Sequence, residues 1–555
     1  MKSKHDSSPG TEHLVDAIGG GEDSALSLGD LARTAASAFQ AESVARESLR
    51  LYDEWLRILW GTSDREIPAK DPRFADRAWG ENPAYQRLAL AYLSFCDAVN
   101  RLVDENPDWR KRERAKFLTG ILTSAMSPTN TLLGNPAALK RAYETAGMSL
   151  VRGAQNMMFD LVCNKGMPSQ VKASAFRIGE NLAVTPGAVV FRNEMVELLQ
   201  YQPTTPVVRE YPTLMIVPPV GKYYFMDLAP QRSFTEHAVS RGIQFFTMSW
   251  RNPGAKQAHW GLDHYVQTCL ETVEAVCRIT GSEKVNILGL CAGGIISTLM
   301  LNHMAAAGDE RVNAAAFGVM LLDFGAEAPI SAFHSRPVLS LARWRSATKG
   351  ILPASNLASV FAWMRPNDLV WSYWSNNYLM GNDPPSIDIL AWSVDGTNLP
   401  GTLHAQFLDI FEHNVLTEPG ALDVLGTPID LKRIKVETLV TAAIADHLTP
   451  WKACYRTTQL LGGPSTFVLS NAGHIASLVN PPGNPKASYY AGPQPGSDPE
   501  QWLQLATKHT GSWWEVWVDW TLERSGAERA APHRLGNESY APLAPAPGEY
   551  VRAKA

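Results

Sequence analysis

The sequence predicts an α/β fold with a largely parallel sheet, and three observations carry that expectation. Short apolar runs at 213–217, 244–249, 285–288, 436–442 and 466–469 alternate with helical stretches, as strands buried on both faces require. One of these runs ends in Gly289-Leu290-Cys291-Ala292-Gly293-Gly294, a G-x-C-x-G turn between a strand and a helix. After the last two runs come Asp446 and then His474, so a nucleophile, an acid and a histidine follow one another in chain order.

From the N-terminus, residues 1–175 read as a mainly helical region that is disordered at its start, where Ser, Gly, Asp and Glu dominate. Amphipathic patterns follow at 28–60, 85–101 and 110–125, with turns at Ser127-Pro128 and Asn135-Pro136. Residues 176–555 form the α/β part. Leu262, Val266, Cys269, Val273 and Val276 recur at helical spacing before Gly281, and 295–301 continues as a helix. Between about 325 and 434 the alternation is interrupted by sequence rich in aromatic residues, proline and asparagine, which reads as a cap inserted between sheet elements.

Composition bounds the chemistry. With 555 residues, 45% of them hydrophobic, the chain can bury the cores of at least two domains. A formal charge of −5 gives no basic surplus for nucleic acid or an anionic membrane. Six cysteines without a C-x-x-C pair form neither a disulfide scaffold nor a metal site, which suits a reducing cytoplasm. The polar N-terminus lacks the apolar stretch of a signal peptide, and no segment approaches the length of a membrane span.

A cysteine at the centre of G-x-C-x-G, followed in order by Asp446 and His474, fits the nucleophile elbow and triad of an α/β-hydrolase fold. The turn is sterically demanding, so Gly289, Gly293 and Gly294 are the small neighbours it needs. His474 is the candidate base for the Cys291 thiol, and Asp446 is placed to orient the imidazole or to help activate the hydroxyl of a second substrate. The backbone N–H of Ala292 is the first candidate oxyanion donor, with a second from Val220-Gly221. A thiolate attacking a thioester forms another thioester and keeps the acyl group activated. Acyl transfer from a thioester donor is therefore favoured over simple hydrolysis.

The chain resembles the polyhydroxyalkanoate synthases of class I and class II from about residue 125 to the C-terminus. The resemblance rests on Ser249-Trp250-Arg251-Asn252-Pro253, the elbow, Met364-Arg365-Pro366-Asn367-Asp368-Leu369, Asp446-His447-Leu448-Thr449-Pro450 and Gly473-His474-Ile475 followed by 480–484. It implies transfer of (R)-3-hydroxyacyl groups from coenzyme A to a growing polyester, with free CoA released and no cofactor or metal required. Cys291 corresponds to the nucleophile, His474 to the base, Asp446 to the aspartate assigned to the incoming 3-hydroxyl, and Arg365 to an arginine on the CoA route. A homodimer, granule-associated proteins as partners and a cytoplasmic location on polyester granules are also implied. Where the family often has Asn-Lys-Tyr-Tyr, this chain has Gly221-Lys222-Tyr223-Tyr224 in a loop one residue shorter. Stretches 361–364 and 481–486 resemble class II, whereas Ala476 and 321–324 resemble class I, so a medium-chain or mixed substrate preference is expected. Two alternatives are a thioesterase or small-molecule acyltransferase of the same fold, and a non-catalytic protein of an inclusion surface held by aromatic residues such as Trp363, Trp371 and Trp374.

Overall fold

The computed structural model describes residues 40–555. The expected disordered start and the first part of the 28–60 pattern lie outside the described residues. The chain forms two compact units. The first comprises residues up to Ala173 with Pro329–Ala342 and Ser355–Ile387, and the second Ser174–Ala328, Arg343–Ala354 and Asp388–Ala555. The stretch 325–434, expected as one cap, is thus shared between the units.

The first unit is helical, with helices at Ala41–Trp60, Pro83–Asp104, Trp109–Ala125, Pro136–Glu144 and Met148–Cys163. Local chemistry sets several starts. Asn82, Asp108 and Asn135 accept hydrogen bonds from the first-turn N–H groups of the helices they precede, and Pro83 and Pro136 occupy positions where no N–H is needed. Asn135-Pro136, read from sequence as a turn, is therefore a helix start. Phe74, Trp79, Ala89 and Tyr92 form one core cluster, and Leu118, Ile121, Ala362, Trp363 and Val370 another. Trp363 and Tyr378 are buried, and the Tyr378 hydroxyl donates to Asp160 at 2.8 Å. At these two positions the aromatic segment is core packing.

The second unit is built on one sheet of eleven strands: β1 Gly187–Arg192, β2 Val196–Tyr201, β3 Thr213–Ile216, β4 Phe245–Trp250, β5 Val285–Leu290, β6 Val312–Gly318, β7 Glu437–Ala443, β8 Ser465–Ser470, β9 Ser488–Ala491, β10 Thr507–Thr510 and β11 Ala544–Pro545. In space the order is β10-β9-β8-β7-β6-β5-β3-β4-β2-β1-β11. The pairs from β4 through β3, β5, β6 and β7 to β8 are parallel, and the outer pairs are antiparallel. Helix Leu262–Thr280 buries Leu262, Val266, Cys269, Val273 and Val276, the apolar positions read from the sequence, and ends at Gly281 with φ +65°. Strand β5 is buried throughout and feeds the buried helix Ala292–Ala307.

Candidate active site

The elbow follows from backbone sterics. Cys291 joins β5 to helix Ala292–Ala307 with φ +48° and ψ −125°, a conformation that costs a non-glycine residue on the order of 1–3 kcal/mol. The helix lies so close to the sheet that added methyl groups would collide: a Cβ on Gly293 would stand 2.4 Å from the Ile216 carbonyl oxygen, and one on Gly289 2.9 Å from the Cα of Gly294. A Cβ on Gly294 would meet the Met320 sulfur at 2.5 Å. Gly289 and Gly293 are thus required by contact with backbone, whereas at Gly294 the obstacle is the flexible Met320 side chain. Two further non-glycine residues with positive φ, Val319 after β6 and Ala472 after β8, lie beyond the same ends of the parallel strands.

Asp446 follows β7 and His474 follows β8, and the sheet brings both to Cys291. His474 Nδ1 lies 2.7 Å from Asp446 Oδ2, and the Cys291 side chain is close enough to the imidazole to help raise its proton affinity. The carboxylate is fully committed. Its Oδ1 accepts the N–H groups of Leu448 and Thr449 at 2.8 and 2.9 Å, its Oδ2 takes the Thr449 hydroxyl at 2.7 Å besides His474, and its side chain is 0% exposed. Thr449 Oγ1 stands a further 3.2 Å from His474 Nδ1, a contact that sequence reading did not anticipate.

Electrostatics follow from this burial. Desolvation favours neutral His474, but the charge and hydrogen bond of Asp446 and the contact with Cys291 outweigh it and push the imidazole up to about 10. Burial likewise opposes the Asp446 charge, yet His474 and the Thr449 donors hold the carboxyl below its ordinary range. Such an arrangement stores a proton on the imidazole beside a cysteine sulfur and leaves the sulfur poised for nucleophilic attack.

Ala292 is the first residue of its helix, where an N–H has no partner within the helix and faces the positive end of the dipole. Val220 and Gly221 lie in the turn between β3 and a short helix at Tyr223–Met226. Trp392 Nε1 donates to the Lys222 carbonyl at 2.7 Å, and a Cβ on Gly221 would meet the Trp392 ring at 2.8 Å, so only glycine fits here. A groove of about 780 Å³ begins one residue beyond His474, between Ile475-Ala476 and Ile389, Leu390 and Trp392. Arg365 belongs to the other unit, where its guanidinium pairs with Asp368.

Known proteins match along the chain. A family model described as Poly-beta-hydroxybutyrate polymerase (PhaC) N-terminus covers residues 70–238, and one described as alpha/beta hydrolase fold covers residues 221–481. Poly(3-hydroxyalkanoate) polymerase 1 of Ectopseudomonas oleovorans is 45% identical over 516 residues, 93% of this chain and 91% of its own. The poly(3-hydroxyalkanoate) polymerase subunit PhaC of Cupriavidus necator is 39% identical over 552 residues, 98% of this chain and 91% of its own. With an α/β-hydrolase sheet presenting a cysteine elbow and with likeness extending over nearly the whole length, this chain belongs to the poly(3-hydroxyalkanoate) polymerase family.

Proposed function

We propose that the protein polymerises (R)-3-hydroxyacyl units from their CoA thioesters, with Cys291 as covalent carrier, His474 as proton shuttle and Asp446 as the group that fixes and charges the imidazole. The observation that carries the residue roles is the Asp446–His474 hydrogen bond beside Cys291 on its strained elbow. The family relationship supplies the substrate class.

In the first step the Cys291 sulfur attacks the thioester carbonyl, and the developing oxyanion is met by the N–H of Ala292 and by the Val220-Gly221 turn. The carbon–sulfur bond to CoA breaks, and the departing thiolate takes the proton from His474. Thioester is exchanged for thioester, so the acyl group keeps its activation. The hydroxyl of a second 3-hydroxyacyl-CoA then gives its proton to neutral His474 while its oxygen attacks the Cys291 thioester. An ester bond forms, the bond to Cys291 breaks, and the resting pair of thiolate and imidazolium returns. The lengthened chain, now on CoA, re-enters by the first step and releases CoA.

Asp446 has been expected to serve the acceptor hydroxyl directly, yet both of its oxygens are occupied within the protein. The proposed role is instead to act through His474 in both half-reactions. Arg365 retains a proposed contact with CoA phosphates, in exchange for its Asp368 partner. A homodimer working at polyester granules, with granule-associated proteins as partners, is part of the same proposal. Among the described residues no helix is long and apolar enough to cross a membrane.

The test is product identity. Purified protein given (R)-3-hydroxyacyl-CoA should release CoA and form insoluble polyester, whereas a soluble hydroxy acid or small ester would place it with thioesterases or small-molecule acyltransferases. Binding to inclusions without any CoA release would support the non-catalytic alternative.

A further inference from the structure

The turn that carries Val220 and Gly221 is held by a polar brace outside the triad. Lys222 has a side chain only 2% exposed, and its ammonium lies 2.9 Å from Asp395 Oδ1. The other carboxylate oxygen of Asp395 accepts the Tyr224 hydroxyl at 3.0 Å. Lys554 Nζ reaches the same Oδ1 at 2.9 Å from a far more exposed position. Two residues beyond Asp395, the Thr397 hydroxyl donates to the Pro219 carbonyl at 2.6 Å. The segment around Asp395 therefore grips the turn on both sides of Val220-Gly221, at Pro219 and at Lys222-Tyr224.

A turn does not need a buried lysine to stay folded. Desolvating an ammonium is costly, and a buried ion pair does no better for stability than apolar packing of the same volume. What such a pair does give is a fixed position. On the reading that Val220-Gly221 supplies an oxyanion donor, we propose that Asp395 is a positioning residue of the polymerase reaction, holding that donor through Lys222 and Tyr224 in the place where the oxyanion forms. Thr397 serves the same purpose from the Pro219 side. Burial pulls the Lys222 ammonium below its ordinary value against the opposing pull of Asp395.

The test separates two reactions of one cysteine. Acyl transfer to Cys291 passes through an oxyanion, whereas alkylation by iodoacetamide is a displacement at a saturated carbon and forms none. In Asp395→Asn, single-turnover acylation of Cys291 by saturating (R)-3-hydroxyacyl-CoA should slow about tenfold or more, with half-saturation little changed. Alkylation of Cys291, followed on its own peptide by mass spectrometry, should keep the parent rate. Asp395→Glu should recover part of the acylation rate. Should Asp395→Asn fail to fold, Thr397→Val removes one hydrogen bond from the opposite side and should show the same divergence. Unchanged acylation, or equal slowing of acylation and alkylation, would overturn the assignment. Failure of the parent protein itself to acylate at Cys291 would count against the proposed function, whatever the variants do.

Discussion

At the scale of single residues, the Asp446 carboxylate decides how the two half-reactions are linked. Because its four acceptor positions are filled by Leu448, Thr449 and His474, Asp446→Asn should slow first acylation and subsequent elongation together. Single-turnover acylation followed by addition of a second substrate measures both stages. Loss of elongation alone would show that the carboxylate meets the acceptor hydroxyl after all. A second expectation concerns pH. His474 is raised from its ordinary 6.5 to about 10, so its proton adds stability fully below pH 6.5, and that contribution drains away as pH rises towards 10. Asp446, held below its ordinary range, contributes in the opposite sense, above the usual carboxyl range and not in acid. The urea midpoint of the parent should therefore fall relative to that of His474→Gln between pH 6.5 and 10, and a constant difference would contradict the charged imidazole. These roles were partly legible in the sequence, since glycine spacing marked Cys291 and chain order marked Asp446 and His474. Thr449 was not. Its hydroxyl matters only because the loop folds back so that a residue three positions on reaches the same carboxylate, a closure that residue types alone do not signal.

At the scale of elements, the elbow depends on how closely helix Ala292–Ala307 approaches the strand ends. Gly293→Ala places a methyl group against the carbonyl backbone of Ile216 and Val217, which cannot swing aside as a side chain would. We expect a loss of about 1–3 kcal/mol in stability, read from urea denaturation, together with a large fall in acylation because Cys291 and Ala292 move with the helix. Full stability in this variant would show that the contact is softer than its geometry indicates. The strands nearest the site were readable because they are continuous apolar runs of β-branched and aromatic residues. Strand β6 was missed: Val312-Asn313-Ala314-Ala315-Ala316-Phe317-Gly318 is centred on alanines, which favour helix, and it is held as a strand by parallel pairing to β5 on one side and β7 on the other, buried at every position but Asn313. Strand β2 was missed for another reason. Its Glu197 is wholly buried, tolerated because Arg192 on the neighbouring strand pairs with it and the N–H groups of Glu549 and Tyr550 reach it from the far end of the chain.

At the scale of the whole molecule, the α/β character was visible as alternation, whereas the division of 325–434 between two units was not, because periodicity reports local structure and not which core a segment joins. Substrate length belongs to this scale too. The groove beside His474 is apolar along Ile389, Leu390, Ile475 and Ala476, and the small Ala476 leaves it open where a larger side chain would narrow it. We therefore expect medium-chain or mixed units in the polymer. One methylene is worth only ~1–3 kcal/mol of discrimination, so the preference should be graded and not absolute. Competition among four-, six-, eight- and ten-carbon (R)-3-hydroxyacyl-CoAs, read by polymer composition, checks this. Incorporation of the four-carbon unit alone would overturn the length assignment and leave the polymerase reading in place. The most direct test of the central claim is mass spectrometry of the protein quenched during turnover with (R)-3-hydroxyacyl-CoA. Hydroxyacyl mass is expected on the peptide bearing Cys291, with neither adduct nor CoA release in Cys291→Ala. Sustained CoA release by that variant, or acyl mass on another residue of the parent, would contradict that claim.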